Sequence, residues 1–235
     1  MSASVSEQAR FDPPAPNALL LAELAAAVLL ALGVLLAPGA VAWGWLVGFV
    51  FWSSFPIGAI ALTLIHVATG GRWGLAAAPT LRLGAFFALL APFFFAFLFA
   101  GLHTLYPWAN GGAATAPDVA RIYLNAPAFA ARGFIALFGW AAIGALAATG
   151  RIGLLGASIG LVFHAIVVSL VAVDWMLSID SRFSDSAFGA EMAVQQIQLA
   201  LATVAAVQPK RAVDIADGHI GGLLLGPRLA PSTSV

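Results

Sequence analysis

Six apolar segments, each about long enough to cross a lipid bilayer as a helix, constrain this chain of 235 residues more than any other feature. They are Ala18 to Ala37, Trp45 to Ala68, Leu83 to Leu102, Ala131 to Ala148, Leu154 to Met176 and Ala187 to Val207. A helix needs about 20 apolar residues to span the hydrocarbon core. Because 62% of the residues are hydrophobic and only 9% are charged, a soluble globule is excluded. The sequence predicts an all-α, polytopic transmembrane helical bundle with about six spans.

Polar segments divide the chain into a bundle and two tails. We predict a cytoplasmic polar tail at residues 1–16, the six-helix transmembrane bundle at residues 17–208 and a second cytoplasmic tail at residues 209–235. The first tail lacks both the basic start and the cleavage site of a secretory signal peptide, so we expect no cleavable signal there.

The basic residues predict how the bundle is oriented. With six spans, the side that holds both termini carries Arg10, Arg72, Arg82, Arg151, Lys210, Arg211 and Arg228. The opposite side carries Arg121, Arg132 and Arg182. Since Lys and Arg are enriched in cytoplasmic loops, we predict a multi-pass protein of the bacterial inner membrane with both termini in the cytoplasm.

Charge and cysteine content exclude several classes of function. The ten basic and ten acidic residues give a formal charge of zero, so the chain carries no electrostatic footprint for nucleic acid. The lack of cysteine excludes Cys-ligated zinc, iron–sulfur clusters and covalently attached c-type haem. The four histidines offer no pair at matching depth for a b-type haem. We therefore expect this chain itself to bind no metal and no redox cofactor.

Ionisable side chains inside the spans are the candidate functional residues, since each costs on the order of 2.5–3.5 kcal/mol to insert. His164, in the middle of the fifth span, either carries a proton or bonds to a neighbouring helix. Asp174, near the external end of that span, is either a proton acceptor or the ion-pair partner of Arg132. Ser178 follows Asp174 by one turn and is a candidate for structural pairing. His66 ends the second span and is a further candidate for proton transfer.

Three polar residues of the sixth span share one helix face. Glu191, Gln195 and Gln198 are spaced i, i+4 and i+7, so their side chains form a stripe. A stripe of this kind must face protein or water. It is either a proton pathway that leads inward from the external side or a set of interhelical hydrogen bonds, and the sequence leaves both interpretations open.

Small residues predict close contacts between helices. The spacings Gly44-x-x-x-Gly48 and Gly156-x-x-x-Gly160 and the stretch Gly139 to Ala148 are typical of helix packing in membranes. Such spacings support a bundle without identifying which helices pair.

Three segments near the ends of the spans resemble a known family. They are His66 to Gly74 (HVATGGRWG), Tyr123 to Asn125 (YLN) with Arg132, and Asp174 to Gly189 (DWMLSIDSRFSDSAFG). Their order over about Trp45 to Gln208 resembles the F-type membrane component of alternative complex III. That component belongs to the NrfD-like, polysulfide-reductase-like, quinol-interacting membrane proteins. The third segment is the most specific, because the family pattern there resembles D-W-x-M-S-L-E-P-H-W-[FY]-S-T-x-F-G.

The chain departs from the family pattern in two ways. Asp180 keeps the acid of the family's Glu-Pro-His-Trp, whereas Arg182 replaces its titratable histidine with a permanent charge. The resemblance thus adds Asp180 to the candidates for proton transfer. The family also carries more spans than the six counted here, so the resemblance implies a member shortened at its C-terminus.

The resemblance implies an integral membrane subunit of a quinol-oxidising respiratory complex. Such a subunit is a non-autonomous part of a quinol:electron-acceptor oxidoreductase and supports quinol oxidation or coupled proton translocation. The implied partners are iron–sulfur and cytochrome c subunits and a terminal oxidase, with quinol bound at the level of the complex. The alternative is a purely structural or assembly subunit without its own quinol site. A transporter would require inverted repeats, which the sequence does not display.

Overall fold

The computed structural model describes residues 16–111, 117–180 and 185–208. Within these ranges the chain is helical and contains no β-strand, which confirms the predicted all-α class. Six segments are long and apolar enough to cross a membrane, which indicates a multi-pass membrane protein. They are Asn17–Leu36, Pro38–Thr69, Trp73–Leu105, Ala126–Ala148, Leu154–Ile179 and Phe188–Val207. Apart from Pro16, both predicted polar tails lie outside the described residues.

Nine α-helices are found in the described residues. They are α1 (Pro16–Leu36), α2 (Pro38–Thr69), α3 (Arg72–Phe87), α4 (Ala91–Ala96), α5 (Leu102–Leu105), α6 (Pro117–Ile122), α7 (Ala126–Ala148), α8 (Leu154–Trp175) and α9 (Phe188–Val207). Short 3₁₀ turns lie at Ala88–Leu90, Phe97–Gly101, Pro107–Asn110 and Leu177–Ile179. The chain divides into two compact units, Met1–Val41 and Ala42–Val235.

The first unit contains α1 and the first turn of α2. Apart from Asn17 and Glu23 near its start, α1 consists of Pro16 and small or apolar residues on every face, so it suits a lipid environment. Only Ala37 separates the two helices, and α2 begins at Pro38 rather than at the predicted Trp45. The physical reason is that proline at the start of a helix lacks only an N–H that would have no intrahelical partner there.

The second unit is built around a cluster of aromatic side chains at its centre. Phe95 of α4 is fully buried, and its ring centroid lies 5.2 Å from that of Phe134, 5.7 Å from that of Trp175 and 5.8 Å from that of Phe129. Gly133 lies directly against the Phe95 ring, so any larger residue there would collide with it. The cluster joins α4, α7 and α8 into one core.

The third span is an irregular helix, although the sequence predicted only one apolar segment there. Its helix changes between α and 3₁₀ geometry from Phe87 to Gly101, with Pro92 in the first turn of α4. The indole N–H of Trp45 donates a hydrogen bond of 3.0 Å to the Phe94 carbonyl, which supports the distorted segment from α2. By contrast, Pro56 is accommodated within a continuous α2.

Close helix contacts occur at glycines other than those of the first predicted spacing. Nothing lies within 4 Å of a Cβ atom placed at Gly44 or Gly48. At Gly144, within the predicted small-residue stretch, such an atom would lie 2.5 Å from the Ala85 carbonyl oxygen of α3. Gly58 of α2 lies directly against the backbone of Gln196. The small-residue stretch of α7 therefore contains a close helix contact, as predicted, whereas the contact between α2 and α9 at Gly58 lies outside the predicted patterns.

Contacts near the helix ends show which ends lie together. At one end, which we call the Thr80 end, the Gln208 side chain donates a hydrogen bond of 2.6 Å to Thr80 Oγ1. A Cβ atom at Gly150 would lie 3.8 Å from Nη2 of Arg82, so the end of α7 belongs to this side too. The opposite end, the Asp174 end, joins the start of α7 to the end of α8. This arrangement matches spans that alternate in direction.

Candidate functional site

A buried ion pair joins α7 to α8 at the Asp174 end. Arg132 Nε lies 2.7 Å from Asp174 Oδ2, and Arg132 Nη2 lies 2.8 Å from Oδ1. The Asp174 side chain is 1% exposed and the Arg132 side chain 20%. Two parallel charge-assisted hydrogen bonds hold the planar guanidinium against the carboxylate. Of the two alternatives that the sequence left open for Asp174, the structure contains the ion pair.

Tyr123 covers one face of the guanidinium, whose edge is bonded to Asp174. The centroid of its ring lies 3.8 Å from Arg132 Cζ, which is a cation–π contact. Burial raises the pKa of Tyr123 to about 12; the nearby Asp174 carboxylate raises it as well, and Arg132 opposes both. Tyr123 therefore stays a neutral phenol at physiological pH.

The start of α7 is fixed locally by its own sequence. The Asn125 side chain accepts a hydrogen bond of 2.9 Å from the Ala128 N–H, which makes Asn125 the N-cap residue. Pro127 occupies the first turn, where its missing N–H leaves no gap in the hydrogen bonding. These residues set the register that points Arg132 at α8. Asn125 belongs to the YLN motif, so the motif has a structural use here.

Side chains from the loop after α5 cap the end of α8. The last carbonyls of a helix lack intrahelical donors. The Tyr106 hydroxyl donates a hydrogen bond of 3.1 Å to the Trp175 carbonyl. Ser178 Oγ donates one of 2.6 Å to the Asp174 carbonyl. Trp108 Nε1 in turn donates to Ser178 Oγ at 3.2 Å.

Sequence reasoning missed Tyr106 and Trp108 as members of this network. Burial raises the pKa of the Tyr106 hydroxyl, and Asp174 adds to the shift, so Tyr106 remains a donor. Tyr106 and Trp108 follow the third span directly, a position typical of interface anchors. Only the tertiary structure shows that they hold the backbone around Asp174.

His164 lies apart from this network, ten residues or about 15 Å along α8 from Asp174. Its side chain is 6% exposed, and neither ring nitrogen has a hydrogen-bond partner in the described part of the chain. The Trp140 ring of α7 is its aromatic neighbour at 6.0 Å, and the Trp140 N–H lacks a partner as well. The interhelical hydrogen bond considered for His164 is therefore absent among these residues.

The polar stripe on α9 faces away from the bundle. Glu191, Gln195 and Gln198 are all exposed. Gln196, on the opposite face, is fully buried, and the described residues offer its amide no partner. The buried face of α9 otherwise consists of small or apolar residues, namely Gly189, Met192, Ala200 and Val204. The stripe therefore contributes neither a pathway nor helix–helix bonds inside the described bundle.

The last two candidates lie at opposite ends. His66 lies at the Thr80 end, where its ring packs on Gly74 and forms an edge contact with Trp73 at 5.4 Å. Its Nδ1 is buried and lacks a hydrogen-bond partner among the described residues. Asp180 is exposed, directly after the 3₁₀ turn that follows α8, and it takes part in interactions of its own. Arg182, the departure from the family pattern, lies outside the described residues.

The candidates thus fall into separate groups. Asp174, Arg132 and Ser178 form one network, whereas His164, His66 and the α9 stripe lie elsewhere. In the portions of the chain that the structure describes, no group of three His, Asp or Glu side chains could hold a metal ion.

No family model matches the chain, and no curated protein matches it. The resemblance to the quinol-interacting family thus rests on the three motifs quoted above.

Proposed function

We propose that this chain is an integral subunit of a quinol-oxidising respiratory complex in a bacterial inner membrane. It binds no redox centre itself and relies on iron–sulfur and cytochrome partners for electron transfer. The motif resemblance supports the kind of complex. The exposed polar stripe on α9 supports membership of a larger assembly.

The depth of the polar stripe on α9 is the main observation in favour of a membrane partner. Gln195 and Gln198 lie about 10 and 15 Å along a helix that is long enough to span the membrane. Exposed amides at that depth would face lipid, where an unpaired polar group is strongly unfavourable. A partner helix that hydrogen-bonds to them removes this penalty. The chain is thus expected to work with another membrane protein packed against α9.

The double change Gln195→Leu with Gln198→Leu should release the partner subunits. Each interhelical hydrogen bond is worth about 0.6–2 kcal/mol, so losing two should weaken partner retention about tenfold or more. The measurement is purification of the tagged chain from native membranes, with mass spectrometry of the retained subunits and haem absorbance.

A matched control is Val194→Ala with Leu201→Ala, since both side chains are exposed and apolar. It should retain the partners because it removes no hydrogen bond. Wild-type protein that purifies alone, without any haem-containing or iron–sulfur partner, would contradict the proposal.

A role in proton movement, if present, belongs to His164. Its ring nitrogens are bonded to no partner among the described residues, whereas the Asp174 carboxylate is held in an ion pair, so His164 is the better candidate of the two. His164→Gln should leave the complex assembled and reduce proton-coupled quinol turnover at least about tenfold, since positioned acid–base groups contribute about 10²–10⁴-fold. Turnover and assembly are measured on the same preparation.

A purely structural subunit is the second candidate. The Arg132–Asp174 pair, covered by Tyr123 and capped through Tyr106, favours it, because this network ties helices together and commits the Asp174 carboxylate to an ion pair. Unchanged turnover in an intact His164→Gln complex would select this candidate over proton conduction.

The proposed orientation places the Thr80 end in the cytoplasm. Reporter fusions after Arg72 and Arg151 should then be active as cytoplasmic reporters, and fusions after Gly111 and Asp180 as periplasmic ones. The opposite pattern at both pairs of sites would invert the orientation.

A further inference from the structure

The Thr80 end contains a cavity of about 180 Å³ among the ends of three helices. Its walls come from α2, α3, the end of α7 and the connection to α8. Among the lining residues, those with polar side chains are Thr63, His66 and Arg82. Arg82 and Leu75 are both exposed, so the cavity reaches the molecular surface on their side.

Two of these polar groups, Arg82 and His66, lack a partner among the described residues. Arg82 has no ion pair within the described ranges. His66 Nδ1 is buried and has no hydrogen-bond partner in the same part of the chain, although its ring is held in place by Trp73 and Gly74. The Thr63 hydroxyl donates to the Ala59 carbonyl at 2.8 Å, so its oxygen is left as an acceptor.

A group that suits this cavity presents anionic oxygens. The guanidinium of Arg82 can bind two oxygens of a phosphate at once, and the His66 tautomer that places the N–H at Nδ1 can donate to another oxygen. No carboxylate of the described residues lines the cavity to oppose an anion. We propose that the cavity binds the phosphate group of an anionic phospholipid.

The position of the cavity favours a lipid as the source of that phosphate. The cavity lies at the end of membrane-spanning helices, which is the level of the headgroups. Leu75 is 69% exposed on its wall and Leu83 is 58% exposed next to Arg82, so apolar surface for an acyl chain adjoins the charged group. Basic pockets between transmembrane helices on the cytoplasmic side bind anionic headgroups in this way.

The test uses the full chain in detergent, with thermal unfolding followed by circular dichroism. Phosphatidylglycerol added in mixed micelles should raise the unfolding temperature, because a ligand that binds only the folded state stabilises it. Phosphatidylcholine should raise it much less, because its choline cation offsets the phosphate charge that attracts Arg82. In Arg82→Gln, the apparent affinity for phosphatidylglycerol should fall about tenfold or more, as expected from the loss of charge-assisted hydrogen bonds.

Two variants keep the test decisive. Arg151→Gln removes another exposed arginine at the same end that does not line the cavity, and should retain wild-type affinity. Arg82→Lys keeps the charge without the planar fork and should give an intermediate affinity, which also serves if Arg82→Gln is unstable. Equal affinity of wild type and both Arg82 variants for phosphatidylglycerol would overturn the proposal.

Inorganic phosphate distinguishes the two sources of the anion. If it stabilises the wild type in an Arg82-dependent way while phosphatidylglycerol does not, the site holds a free phosphate and the lipid assignment is wrong. If phosphatidylglycerol stabilises the chain and inorganic phosphate at the same phosphate concentration does not, the lipid assignment stands.

Discussion

Replacing Asp174 with asparagine should cause the largest loss of stability among the changes considered. The amide keeps the shape of the side chain but removes its charge, so Arg132 keeps a positive charge without its carboxylate partner. Breaking a buried ion pair by removing one partner costs about 3–5 kcal/mol. We expect the amount of folded protein in the membrane to fall, measured by its level in membrane fractions and by its thermal unfolding in detergent.

A second substitution tests whether the loss of stability comes from the broken ion pair or from an altered side-chain shape. Adding Arg132→Gln to Asp174→Asn removes the uncompensated charge, so the double variant should regain part of the stability. The exposed Arg121 is a control, since Arg121→Gln breaks no ion pair in the described residues. A single Asp174→Asn variant that folds normally while proton-coupled turnover falls would contradict the structural role and make Asp174 a proton carrier.

The sequence predicts some parts of this site well for a physical reason. Isolated charges cannot remain unpaired in the membrane, so the few available partners limit the choices. Arg132 and Asp174 lie at the same predicted depth on neighbouring spans, and pairing them was one of only two sensible alternatives. Six spans were equally predictable, because each requires a long apolar segment and little else.

Which face of a helix is buried was not predictable in the same way. Periodicity groups Glu191, Gln195 and Gln198 on one face, but it does not say whether that face meets the bundle. Gln196 alone among the α9 glutamines is buried, because it lies in line with Met192 and Ala200. The small and apolar pattern of that line was a usable signal, since close packing needs small residues.

Contacts between segments distant in sequence were the least predictable. Tyr106 reaches the Trp175 carbonyl across 69 positions, and nothing local to either residue indicates it. Helix contacts at glycines are equally hard to predict, because they depend on which other backbone lies nearby in the fold. Gly48 fits the known spacing and has open space around it, whereas Gly58 fits no such spacing and lies against another helix.

The contact at Gly58 leads to the second large effect expected. A Cβ atom there would overlap the carbonyl group of Gln196, which is backbone and cannot rotate away. Gly58→Ala must therefore move α9 away from α2, and the move would open the small cluster that contains Ala59 and Ala200, both fully buried. Overpacking of this kind costs about 1–3 kcal/mol.

Gly48→Ala is the matched control for Gly58→Ala, because it adds the same methyl group to the same helix where nothing lies within 4 Å. Since alanine favours a helix over glycine by about 1 kcal/mol, the control should unfold at the same temperature as the wild type or a higher one. Gly58→Ala gains the same helix propensity, so any decrease in its unfolding temperature measures the clash with Gln196 beyond that gain. Equal unfolding temperatures for the two variants in detergent would show that α9 does not pack against α2 at this position.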